Sequence, residues 1–195
     1  MKKIIILFFI ILFQSSIINA DSSYKIKRIV VGNKEAKITI IIYESLTCSH
    51  CANFHSNVLP DLKKDYIDTG IVKIEFRHFP LDVAAFNASK IAQCKNDGKP
   101  DILNSLYLNQ KKWIKGTTID EVNDNLIKFL ISENMKIDFN KCINDKNIED
   151  FVLNDRIEGV KKYKVNATPT IIINHKKFEK SLNYKNLKKT LEKLI

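Results

Sequence analysis

Ile38-Thr39-Ile40-Ile41-Ile42-Tyr43 and, four residues later, Cys48-Ser49-His50-Cys51 are the stretch on which the fold turns. The first part is an unbroken apolar, β-branched run, as expected of a central strand covered on both faces. Beyond the cysteines, Val58, Leu59, Leu62 and Tyr66 recur at helical spacing up to Gly70, a residue suited to the left-handed position after a helix end. Val72-Lys73-Ile74-Glu75-Phe76-Arg77 then alternates apolar and charged residues as a second strand does. Strand, helix and strand form a βαβ unit, so the fold class is α/β, and the two cysteines fall where the first strand hands over to its helix.

That position decides the chemistry. At a helix N-terminus, unpaired backbone N–H groups and the helix dipole stabilise an anion, so the Cys48 thiol is expected to ionise readily. His50, between the cysteines, can add a hydrogen bond or a positive charge to the sulfur. Whatever stabilises the reduced thiolate makes the disulfide a stronger oxidant, which predicts an electron acceptor. Cys51, further along the helix and less exposed, is the expected resolving thiol. Competing readings are a static disulfide, or half of a zinc site completed by His50 or His55. Structural zinc wants four protein ligands, and no second Cys-x-x-Cys or spaced histidine pair follows, so no metal and no cofactor are expected.

From about Asp82 to Asp150 the chain carries a succession of helical patterns. One runs through Ile102, Leu106, Gln110 and Trp113; another opens with the capping box Thr118-Ile119-Asp120-Glu121. Trp113 lies on an apolar helical face and reads as core. Leu153, Ile157 and Val160 mark a further helix. Asn166-Ala167-Thr168-Pro169-Thr170-Ile171-Ile172-Ile173 then reads as a loop entering a strand, where Pro169 is either an ordinary trans turn proline or a cis one. A cis Pro169 would set the Thr168 backbone beside the cysteines, ready to pair with an extended substrate. Asn174-His175-Lys176-Lys177-Phe178 follows as a hairpin, and Leu187, Leu191 and Leu194 close the chain with a helix.

Lys2 and Lys3, the apolar run Ile4 to Phe13, polar Gln14-Ser15-Ser16 and small Ala20 have the order of a secretory signal peptide cleaved after Ala20; an uncleaved anchor through Ile18 is the alternative. The net charge of +10 comes from 32 basic and 22 acidic residues. The lysines are interleaved with acids and form no arginine-rich stripe, which argues for a solvated surface and against a nucleic-acid partner. The remaining cysteines, Cys94 and Cys142, lack a motif of their own and read either as a structural disulfide or as two separately buried thiols.

Ser45-Leu46-Thr47-Cys48-Ser49-His50-Cys51, the Phe79-Pro80-Leu81 step, the helical insertion and Asn166-Ala167-Thr168-Pro169-Thr170 together resemble the DsbA-like thiol-disulfide oxidoreductases of the thioredoxin superfamily, from about Val31 to the C-terminus. The resemblance implies a thioredoxin fold with an inserted all-helical subdomain: residues 1–20 signal peptide, 21–81 and 151–195 the two thioredoxin-like parts, and 82–150 the insertion. It implies Cys48 as attacking sulfur, Cys51 as resolving sulfur, His50 as tuning residue and Pro169 as cis-proline, with Ser49 and Thr168 meeting the substrate. It also implies a periplasmic, monomeric enzyme that gives its disulfide to reduced exported polypeptides and is reoxidised by a DsbB-like membrane quinone reductase; isomerase or reductase work is the neighbouring alternative. Cys94 and Cys142 resemble the extra cysteine pair of α-proteobacterial members. Ser49 stands where many members have proline. The family's buried acid, six residues before the first cysteine, is replaced by Ile42, and Glu44 lies four before it, either as proton relay or facing solvent.

Overall fold

A computed structural model describes residues 24–195; the expected signal peptide lies outside them. The framework is a five-stranded mixed sheet in the order β1-β3-β2-β4-β5. Its strands are β1 (Val30–Val31), β2 (Ile38–Glu44), β3 (Val72–His78), β4 (Thr170–Ile173) and β5 (Lys176–Lys177). β2 runs parallel to β3 and antiparallel to β4, with Ile42 opposite Phe76 on one side and Ile171 on the other. Six of its seven residues are buried, which is what the continuous Ile run demands of a strand with neighbours on both edges and layers on both faces. The β4–β5 hairpin turns through Asn174 and His175, both in the left-handed region, so His175 takes the conformation that glycine usually supplies. The two-residue β1 has no periodic signature and was not anticipated.

The helix after the cysteines is broken into α1 (Ser49–Asn57), α2 (Leu59–Leu62) and a π-turn (Lys63–Ile67). Pro60 explains the interruption at Val58: it has no N–H for the carbonyl a turn earlier, and its ring collides with that carbonyl. α3 (Val83–Gln93) starts on Asp82, whose carboxylate accepts from the Ala85 N–H. The single helix expected from Ile102 to Trp113 is α4 (Asp101–Leu108) and α5 (Gln110–Trp113), parted at Asn109, whose side-chain amide bonds the Ser105 carbonyl and competes with the helical ladder. α6 (Ile119–Ser132) begins with the expected capping box at Thr118 and Glu121. α7 (Phe139–Ile143) is capped by Asp138, and α9 (Tyr184–Leu191) closes the chain.

α8 (Lys146–Tyr163) is the helix expected around Leu153, Ile157 and Val160. It runs unbroken through position 150, so a boundary drawn there divides a helix. Leu153, Ile157 and Val160 are its exposed side, at 38, 46 and 43% exposure, while Ile148, Val152, Asp155, Gly159 and Tyr163 face inward. The apolar residues that mark this helix face outward because its inward side carries a carboxylate and a glycine. Both oxygens of buried Asp155 accept from Arg28 Nη1, at 2.8 and 2.9 Å, and Oδ2 also accepts the His78 backbone N–H at 3.1 Å. Gly159 lies against the Tyr43 ring, where a Cβ would come within 2.8 Å.

One continuous core joins the sheet to the insertion. Ile40, Ile42, Ile74 and Phe76 from the sheet and Phe54 from α1 share it with Ala88, Leu103, Leu106, Trp113, Leu126 and Phe129 from the helical segment. A smaller cluster on the opposite sheet face packs Tyr43, Phe79, Tyr163, Val165 and Ile172 under α8. Within the helical segment, Cys94 and Cys142 are joined in a disulfide, so of the two open readings the structural bond holds. Among the described residues no helix is long and apolar enough to cross a membrane.

Candidate active site

The register of β2 sets the site. Buried on the sheet, the strand ends at Glu44, and the turn Ser45–Thr47 brings Cys48 to the cap of α1, with its N–H bonded to the Ser45 carbonyl at 3.0 Å. The turn is tied from outside: the Thr47 hydroxyl donates to Asp82 at 2.7 Å, and the Ser45 hydroxyl oxygen accepts the Leu81 N–H at 3.3 Å. Asp82 thus both starts α3 and steadies the loop before the cysteines.

Cys48 is partly exposed and Cys51 fully buried; neither is in a disulfide here. The Cys48 thiol is pulled down to about 5, above all by the neighbouring Cys51 thiol, with help from the Thr168 hydroxyl and the backbone N–H groups of Cys51 and His50, while partial burial works against it. Cys51 is driven the other way. Burial is the main cause, followed by its hydrogen bond to Cys48 and the negative charge of Glu44. One sulfur is therefore a thiolate at neutral pH and the other a thiol. His50 enters differently from expectation: its imidazole is exposed, and its contribution to the sulfur is its backbone N–H. Ser49 is the exposed first residue of α1.

Across from α1, the Thr168–Pro169 peptide bond is cis. As a thiol, Cys48 Sγ donates to the Thr168 carbonyl at 3.3 Å, and the Thr168 hydroxyl, buried and with no other partner, is the one that steadies the thiolate. His50, Asn53, Phe54, Thr168, Pro169 and Leu182 line a cavity of about 300 Å³ that shares Thr168 with the Cys48 contact.

Two sets of contacts are not visible in the sequence. Gln110, released by the break at Asn109, sends its side-chain amide to the carbonyls of Leu46 at 2.7 Å and Cys48 at 3.0 Å, so the insertion grips the loop that carries the nucleophile. Glu44, for which exposure was one open reading, is 1% exposed and contacts His55 Nε2 at 2.9 Å. His55, weighed only as a zinc ligand, is buried beneath Tyr107, whose ring stacks on it at 4.0 Å. Among the described residues no cluster of three or more side chains is arranged to hold a metal ion.

The chain's likenesses fit this geometry. The thioredoxin family model matches residues 25–193. Alpha-DsbA1 of Wolbachia pipientis superposes with a TM-score of 0.76 at 32% identity, over 86% of this chain and 90% of that one. A Rickettsia bellii protein provisionally named protein-disulfide oxidoreductase is 30% identical over 147 residues, 74% of this chain and 56% of that protein. Disulfide bond formation protein D of Bacillus subtilis is 26% identical over 174 residues, covering 84% of this chain and 75% of the other. The chain spans little more than half the length of the first Rickettsia relatives it matches.

Proposed function

The chain belongs to the thioredoxin family, among its DsbA-like members, and on that premise we propose that it is a thiol:disulfide oxidoreductase that donates its Cys48–Cys51 disulfide to reduced, newly exported polypeptides. A substrate thiolate attacks Cys48 Sγ, the Cys48–Cys51 bond breaks, and Cys51 leaves with the electron pair and takes a proton. A second substrate thiolate then attacks its own sulfur in the mixed disulfide and expels Cys48 as thiolate. The substrate gains one disulfide and the enzyme holds two more electrons. An oxidised quinone, reached through a DsbB-like membrane partner, is the class of acceptor that would remove them.

The observation that carries this reading is the Cys48 thiol near 5 beside a Cys51 thiol pushed above the ordinary range. A stabilised Cys48 thiolate is a good leaving group and a strained thing to oxidise, so the disulfide it belongs to is oxidising. The carbonyl of Thr168 and the apolar walls of Phe54, Pro169 and Leu182 suit an extended segment without selecting its sequence. We take the enzyme to act as a monomer in the periplasm, directed there by residues 1–20.

The test is equilibration with glutathione buffers together with oxidation of a reduced, unfolded polypeptide. A midpoint well above that of thioredoxin, roughly −270 mV, and stoichiometric oxidation of the polypeptide are expected. A thioredoxin-like midpoint would reverse the direction of electron flow, and faster refolding of a scrambled substrate than of a reduced one would mark an isomerase.

A further inference from the structure

The two edges of the sheet are finished differently. At one, the loop after α3 closes β1: the Val30 N–H donates to the Gly98 carbonyl at 3.2 Å. At the other, β5 is left open. The Asn174–His175 turn joins it to β4, with Ile173 opposite Lys176 and Ile172 opposite Lys177, and the Phe178 N–H goes on to the Ile171 carbonyl at 2.9 Å. In an antiparallel ladder, successive residues alternate between bonding the neighbouring strand and facing away from it. Because Phe178 bonds inward, the N–H and C=O of Lys177 and Glu179 point away from β4. Among the described residues, no segment on that outer side bonds to them. The edge is also held still. The Asn174 N–H donates to the Thr39 carbonyl at 3.0 Å, and its side-chain oxygen accepts the Thr39 N–H at 2.9 Å, which ties the hairpin to the start of β2.

Beside this edge lies a cavity of about 510 Å³, lined among others by Ile173, Lys176, Phe178, Lys180, Thr190 and Leu194. Its floor is apolar and its rim cationic. It shares no residue with the cavity lined by Pro169, and Ile173 places it at the opposite end of β4. Over the whole chain lysines are interleaved with acids, but residues 176–195 hold seven lysines against two glutamates. None of the seven is ion-paired among the described residues. Lysines on an edge strand keep a sheet from pairing with copies of itself. In a chain of net charge +10 that repulsion shuts out a second copy, and by charge complementarity it leaves an acidic strand as the one that gains from pairing.

We infer that the β5 edge is a docking site for an extended, acidic segment of a protein partner, which adds to the five-stranded sheet as a sixth strand along Lys177 and Glu179. Backbone pairing with those two residues supplies the attachment. Apolar side chains on one face of the added strand enter the cavity over Ile173, Phe178 and Leu194, and acids at its ends and on its other face meet the lysines. A partner held here leaves the cavity lined by Pro169 to the substrate, so docking and exchange at Cys48 proceed together.

The test measures binding of a fluorescent, cysteine-free peptide of alternating glutamate and valine by anisotropy at low salt. Binding is expected, and an alternating lysine–valine peptide should fail to bind. The glutamate–valine peptide N-methylated on the amides that face the edge keeps its charge but loses its donors, and should bind about tenfold more weakly. Lys177→Pro removes an outward N–H without touching the ladder to β4, and Lys176→Gln with Lys180→Gln removes charge from the rim; each should weaken binding about tenfold and leave exchange at Cys48 unchanged. In the native protein, NMR shift changes should centre on residues 177–179 and spare His50 and Asn53. Should Lys177→Pro fold poorly, the N-methylated peptide makes the same test on the native chain. Equal binding of the N-methylated peptide would reduce the site to attraction of any polyanion, and shifts centred on His50 and Asn53 would place the peptide in the substrate cavity; either result overturns the proposal. So does retention on phosphatidylglycerol vesicles without peptide binding, which would assign the lysines to a membrane surface. Because the probe carries no thiol, the outcome is independent of the direction of electron flow at Cys48.

Discussion

The molecule holds two cysteine pairs of the same element in opposite circumstances. Cys48 and Cys51 sit at the first turn of α1 under a ring of hydrogen-bond donors that makes one sulfur anionic. Cys94 and Cys142 join the end of α3 to α7, far apart in sequence, with Cys142 fully buried in the shared core. The first pair spans two residues and the second a loop with a sequence separation of 48. A bond that closes a long loop restricts the unfolded chain and so favours the fold; one that closes a two-residue loop contributes little there and is free to be broken. The contrast teaches that sulfur takes its role from the backbone around it: donors aimed at Cys48 make an exchangeable bond, apolar packing around Cys142 a permanent one.

The sharpest way to break the comparison is to swap consequences. Cys48→Ala should abolish oxidation of a reduced polypeptide, whereas Cys94→Ala with Cys142→Ala should leave the Cys48 chemistry in place; loss of exchange in the second variant would mean the pairs are not separable. Cys51→Ala should halt the reaction at a mixed disulfide through Cys48, visible as the added mass of the substrate. For the second pair the expected loss is stability, roughly 2 to 4 kcal/mol in urea unfolding of the double alanine variant.

Gln110→Leu probes the bridge between the two regions. It leaves the carbonyls of Leu46 and Cys48 without their donor, which should cost about 1 to 3 kcal/mol and raise the Cys48 thiol as the loop loosens, measured by the pH dependence of its alkylation. A further effect is on the pH dependence of the reduced state. Cys48 ionises near 5 when folded and near its ordinary value of 9.0 when unfolded, so its contribution to stability is complete above the ordinary value and is lost as pH falls through about 5. The gap in unfolding midpoint between reduced native protein and Cys48→Ser should therefore narrow from pH 7.5 to pH 4.5; a constant gap would mean the thiolate is not specially stabilised.

Much of this contrast was legible in the chain itself. The Ile run of β2, the Cys-x-x-Cys after it and Thr168-Pro169 are local patterns whose meaning does not depend on distant partners. What stayed hidden depends on such partners. α8 turns a stripe with Asp155 and Gly159 inward because Arg28 and Tyr43 wait there, and no period in residues 146–163 reveals them. The Glu44–His55 pair is invisible for the same reason: each residue is ordinarily exposed, and only the seam between α1 and α4 makes their burial tolerable. Gln110 reaches the cysteine loop because a side-chain amide at Asn109 interrupts a helix that apolar spacing alone would continue.

β2 is flanked by β3, which follows it closely, and by β4, whose Ile173 pairs with Ile40 from the far end of the chain. A polypeptide made or translocated from its N-terminus therefore presents one side of its most apolar strand, unpaired, until nearly the whole sequence has emerged. The interval is one in which this sheet is itself open to attachment by other extended chains, and a holding chaperone would find its site there.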